Sequence, residues 1–257
     1  MGAGIHGKHP DFGDFISAGL PVAADQGLVP WLGGILATVK EGLGDDWERV
    51  WDSAPTLRFW IGGGLWGGAH LQGAMIPSRD KVGRRYPLMA VVETDAPPPV
   101  TDPAQDFYDQ VESALRGPVE SAQALRDAIS TAIGTTNGDT DIGPPPAAPA
   151  TFWAANPAAG AETLLAGLAA TDALRAQGLR SYWWASGDGS RASAALACGG
   201  LPDAGAVLWL MRGVDAQAME PSDAPAHADA KIGTDNDADT PAPEPAPQGG
   251  EADVWRQ

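Results

Sequence analysis

This chain is poor in cysteine, in basic residues and in long apolar runs. One cysteine, Cys198, excludes an internal disulfide framework and any Cys-rich zinc site. Lys and Arg number 16 against 33 Asp and Glu, a net charge of −17. A chain this acidic cannot hold nucleic acid or an anionic membrane by bulk charge, so neither is an expected partner. No apolar stretch approaches the length of a membrane span, so stable membrane insertion is not expected. The start, Met1-Gly-Ala-Gly-Ile-His-Gly-Lys8, has no apolar segment of signal-peptide type. The default expectation is a soluble cytoplasmic protein.

Gly and Pro are abundant, 33 and 23, and the 10 Trp outnumber the 5 Phe and 3 Tyr together. The charge is unevenly spread: residues 213–257 hold ten acids and two bases. That segment has few large apolar residues and runs through Pro-Ala-Pro-Glu-Pro-Ala-Pro. It cannot bury enough surface to offset chain entropy, so residues 214–257 read as a disordered acidic tail. Residues 1–213 then form one domain.

Ile5–Lys8, Thr56–Ile61, Leu71–Ile76 and Tyr86–Glu93 read as strands, the last apolar enough to be buried on both faces. Val29–Glu41 reads as a helix, with Leu32, Ile35, Leu36 and Val39 at helical spacing. Asp45-Asp46 could cap a second helix carrying Trp47, Val50 and Trp51. Ala104–Arg116, Val119–Ile133 and Ala161–Gln177 read as helices, and a Pro/Gly-rich loop spans residues 134–150. Leu179–Ser186 and Ala192–Cys198 read as a hairpin, and Asp203 caps a final helix to Arg212. The plan is α/β: one three-layer α/β/α-like domain with a mixed central sheet.

Four clusters could carry chemistry. His6, His9, Asp11 and Asp14 are metal-binding or proton-transfer types, but no second cluster completes a site. The favoured reading is loop carboxylates and a hydrogen-bonded His. Gly62–Gly68 lacks the following Lys-Ser/Thr of a phosphate cradle and reads as a turn, which lets Trp66 reach a neighbouring surface. Arg79, Lys81, Arg84 and Arg85 around Asp80 could receive a carboxylate or phosphate, or form a solvated loop. In Tyr182-Trp183-Trp184-Ala-Ser-Gly-Asp188, alternation points one Trp to the core and the other outward. Asp188 with Asp11 and Asp14 would be the acids of a phosphatase-like hydrolase. No Gly-x-Ser-x-Gly elbow occurs, and no metal or cofactor is implied.

The stretch Gly4-Ile-His-Gly-Lys-His-Pro-Asp-Phe-Gly-Asp-Phe-Ile-Ser-Ala-Gly-Leu-Pro21 resembles the opening of the TagF (ImpM) family of bacterial type VI secretion. Gly73-Ala-Met-Ile-Pro-Ser-Arg-Asp-Lys-Val-Gly-Arg-Arg-Tyr-Pro-Leu88 is similar to that family's second signature. Pro30-Trp31, Trp47, Pro55, Arg58-Phe59, Ser181-Tyr-Trp-Trp184 and Gly200-Leu-Pro202 also match. The resemblance spans about residues 3–212 and is weak between 94 and 180. It implies a three-layer α/β/α fold and a non-enzymatic, post-translational repressor of type VI secretion. Such a protein opposes activation by threonine phosphorylation and restrains the forkhead-associated scaffold of the apparatus. Lys8, Asp11, Asp14, Arg79, Asp80, Arg84, Arg85 and Trp66 are then the candidate partner-binding residues, with the two motif loops meeting beside a sheet edge. In the alternative, Asp14 and one Arg pair with each other and brace the fold. The competing functions are a hydrolase and a structural subunit of the apparatus.

Overall fold

The computed structural model describes residues 2–66, 69–133, 151–172, 179–216 and 231–234. The strands are β1 (Gly4–Gly7), β2 (Ile16–Ala18), β3 (Leu57–Ile61), β4 (His70–Ile76), β5 (Leu88–Thr94), β6 (Thr151–Asn156), β7 (Arg180–Ala185), β8 (Arg191–Gly199), β9 (Val214–Asp215) and β10 (Lys231–Thr234). The helices are α1 (Val29–Leu43), α2 (Trp47–Asp52), α3 (Asp106–Arg116), α4 (Ala122–Ile133), α5 (Ala161–Asp172) and α6 (Ala204–Arg212).

The strands form one sheet in the order β10-β6-β8-β7-β3-β4-β5-β1-β2, with β9 beside β8. Every pairing among the described residues is antiparallel, which corrects the expected mixed sheet. The reason lies in the connections. β3–β4, β4–β5 and β7–β8 are joined directly, and a parallel neighbour would need a longer crossover. The late strand β7 docks on β3, so both halves of the chain share the sheet.

Helices cover both faces. On one, α1, α2 and α6 pack on Leu57, Phe59, Ile61, Met75, Met89 and Trp183. On the other, α3, α4 and α5 pack on Trp60, Ala74, Leu88, Tyr182 and Trp184. Successive residues of β3 and β7 thus feed opposite cores, as strand alternation requires. Trp183 and Trp184 are 1 % and 0 % exposed, so both lie inside. The expectation of one outward Trp fails because the second face is covered too.

Asp203 caps α6 as expected, accepting from Ala206 N at 2.8 Å. Asp46 does not cap α2; its carboxylate binds Arg49 instead, at 3.0 Å. The helix expected to end at Gln177 is described to Asp172, and the loop at 134–150 lies outside the described residues. Strands β2, β6, β9 and β10 had no counterpart in the sequence reading. Both β9 and β10 fall in the segment read as a disordered tail; residues 217–230 and 235–257 lie outside the described residues. Among the described residues no helix is long and apolar enough to cross a membrane.

Candidate functional site

Because neighbouring strands run antiparallel, the C-terminal ends of β1 and β4 and the N-terminal ends of β2 and β5 lie at one end of the sheet. Loop 8–15 and loop 77–87 therefore emerge side by side. The second is a tight hairpin, with Asp80 N donating to Arg84 O at 3.1 Å and Gly83 N to Asp80 O at 2.9 Å. Gly83 has φ +88°, a left-handed geometry that glycine adopts without strain. Lys81 N donates to Phe12 O at 2.8 Å and stitches the two loops together.

Asp80 is the centre of the junction, and it is buried. Its carboxylate accepts from Lys8 Nζ at 2.9 Å and from Arg84 Nε at 2.6 Å. The backbone N–H groups of Val82 and Arg84 also donate to it, at 3.1 and 2.9 Å. Burial pushes this carboxyl up, but the hydrogen bonds from Lys8 and Arg84 outweigh it and hold the pKa well below the usual carboxylate range. The Lys8 ammonium also lies 4.9 Å from the centre of the Phe15 ring. Arg84 reaches on to Gly13 O at 2.8 Å. The two motif loops do meet, as expected, but the bracing carboxylate is Asp80 and not Asp14.

The other candidates divide. Arg85 bridges to Glu48 and Asp52 of α2, each at 2.8 Å, so it clamps that helix to the loop. Asp11 lies 3.5 Å from His9, and Asp14 accepts from Phe15 N at 2.8 Å; both are exposed. Arg79 and Lys81 are exposed beside Val82, which is 71 % exposed. Arg79 also lines a cleft of about 570 Å³ with His9, Trp51, Asp52, Ser78 and Arg116. Trp66 does not join this group. It follows the C-terminal end of β3, at the opposite end of the sheet, where a Cβ added to Gly27 would meet its ring at 2.3 Å. It packs on the α1 side of the core.

The acids of a hydrolase are not gathered. The Asp188 turn sits on β7–β8, four strand positions from β1, or roughly 19 Å at ordinary strand spacing. Its carboxylate accepts from Ser190 and from Arg191 N in its own turn. Among the described residues, no three His, Cys, Asp or Glu side chains group so as to hold a metal ion.

The sequence reading overlooked two features. Arg58 is 5 % exposed and binds Asp109 at 2.6 Å, Glu112 at 2.9 Å and Gln105 at 2.8 Å on α3 and its N-cap. The signal was a cation inside Leu57-Arg-Phe-Trp-Ile61: on a strand covered on both faces it must meet a counter-charge from a neighbouring element. The second is an aromatic trio in which His6 stacks on Phe15 at 5.3 Å and meets Tyr86 edge-on at 5.9 Å.

Residues 4–132 match the family model described as "TagF N-terminal domain, Type VI secretion system-associated". That span runs from β1 into α4 and includes both motif loops. No curated protein matches the chain. Among solved structures, the crystal structure of PA0076 from Pseudomonas aeruginosa PAO1 aligns with a TM-score of 0.61 and 26 % identity, covering 81 % of this chain and 93 % of that one. With half of its length matched by the family model and both signature loops in place, this chain belongs to the TagF N-terminal domain family associated with type VI secretion.

Proposed function

We propose that this protein is a cytoplasmic, non-enzymatic repressor of a bacterial type VI secretion system that works by occupying a surface of the forkhead-associated scaffold. Family membership connects it to the secretion system. The observation that carries the binding role is the Lys8–Asp80–Arg84 junction. It fixes two loops in one shape and leaves Arg79, Lys81 and Val82 facing outward. A rigid loop pair with outward cations and an apolar tip suits recognition of an acidic protein surface, because little ordering entropy is lost on binding. The separation of Asp188 from Asp11 and Asp14 favours this reading over hydrolysis.

The test is the double variant Arg79→Glu with Lys81→Glu, made in a secretion-competent strain and as pure protein. Both side chains are exposed, so Tm should stay within a few degrees of the parent. Secretion should be derepressed and capture of the purified scaffold lost. If the parent protein neither binds the scaffold nor lowers secretion when overproduced, the proposal fails.

A further inference from the structure

The far edge of the sheet is closed by a short strand from the acidic tail. Among the described residues β10 pairs with β6 alone, in the register Lys231 with Ala155, Ile232 with Ala154, Gly233 with Trp153 and Thr234 with Phe152. On its other side β6 pairs with β8, which sets Trp153 opposite Leu196. Directly opposed residues of an antiparallel pair share a face. The face that carries Trp153 and Leu196 is the one covered by α6. There the Trp153 ring lies 6.4 Å from that of Trp209. Beside this pair opens a cleft of about 320 Å³ lined by Thr151, Trp153, Leu196, Asp203, Ala206 and Trp209. At the register facing Trp153 the tail strand carries glycine, which has no side chain to place over this cleft.

We propose that the outer edge of β6 is a strand-docking site, held in cis by Lys231–Thr234. Its preferred occupant is an extended segment of a partner protein with a large apolar side chain at the Gly233 register, seated in the Trp153–Trp209 cleft. Strand addition draws affinity from backbone hydrogen bonds and selectivity from pockets for alternate side chains. The cis strand supplies the first and omits the second. It is four residues long and ends the sheet among the described residues, so its release disturbs no other pairing described there. Tethering gives it an effective concentration in the millimolar range, which a competing strand must overcome. Burying one large apolar side chain supplies on the order of tenfold to hundredfold. The site lies five strand positions from β5 and is independent of the loop pair at the other edge.

The experiment uses the full chain carrying Ile232→Pro and Gly233→Pro, which opens the edge. Adjacent strand residues direct their N–H groups to opposite sides, so one of the two prolines removes a donor from the ladder. Two fluorescent peptides of residues 229–236 are the probes, one native and one carrying Gly233→Leu. The Gly233→Leu peptide should bind the opened chain at least about tenfold more tightly than the native peptide. It should bind the unaltered chain more weakly than the opened one. Trp209→Ala in the opened chain should abolish the difference between peptides. Should that variant not fold, Ala206→Phe, which fills the cleft from α6, should abolish it instead. Equal affinities for the two peptides, or no binding of either to the opened chain, would overturn the proposal.

Discussion

Asp80 shows how one buried side chain sets the character of the motif end. It takes four donors, two of them cationic, and is itself removed from water. Its pKa is depressed in the folded state, so its stabilisation is present above the unfolded value of about 3.9 and is lost as pH falls below it. Asp80→Asn should therefore lower stability near pH 7 and flatten the acid limb of the urea midpoint between about pH 2 and 4. An acid limb as steep as the parent's would show that the carboxylate does not govern it. Gly7 is constrained as tightly by geometry. Its φ is +140°, and an added Cβ would lie 1.9 Å from Pro87 O. Gly7→Ala should cost at least about 2 kcal/mol, since the strained backbone and the displaced strand both contribute. Chemical denaturation of the purified variant measures it.

At the scale of elements, charge and shape divide the work between two loops and one short helix. α2 has only six residues, too short to persist without tertiary support. Trp47, Val50 and Trp51 bury its inner face, Trp51 Nε1 donates to Ser78 O at 3.0 Å, and Arg85 ties its outer acids to loop 77–87. Arg85→Glu should set a carboxylate against Glu48 and Asp52. The expected result is a lower Tm and earlier proteolysis within 44–53, effects that Arg79→Glu with Lys81→Glu should not share. A Tm unchanged in Arg85→Glu would mean that the clamp is dispensable. This contrast separates the bracing cations from the outward ones, which the sequence presents as one run.

At the scale of the whole molecule, the sheet order couples the two halves of the chain. The family match ends at residue 132, yet β3 needs β7 on its open side. Phe59 and Trp60, each 0 % exposed, pack against Trp183 and Tyr182 respectively. A chain ending at residue 133 should expose the edge of β3 and associate through it. Size-exclusion chromatography should find that fragment aggregated where the full chain is not; a monodisperse, cooperatively melting fragment would refute the coupling. The charge balance also looks different on this scale. Arg58, Arg84 and Arg85 are paired with acids, so Arg79 and Lys81 are what the loop cluster presents outward.

The sequence by itself determined the elements with a local signature. Helical spacing placed α1, the Gly-Asp-Gly turn placed the β7–β8 hairpin, and Asp203 placed the start of α6. The two signature loops gave the family. Tertiary structure alone decided the rest. The three-residue β2 is too short to leave a periodic pattern, and β6 pairs with β8 across 37 to 47 positions. Asp80 meets Lys8 across 72 positions, and Arg58 meets Glu112 across 54. Which acid neutralises which base depends on strand order and direction, and strand order is set by burial on two faces at once. Local spacing records the period of a segment and the chemistry of a turn. It carries no record of which distant segment will lie alongside, and here that adjacency separates the charges that hold the fold from those left free to meet a partner.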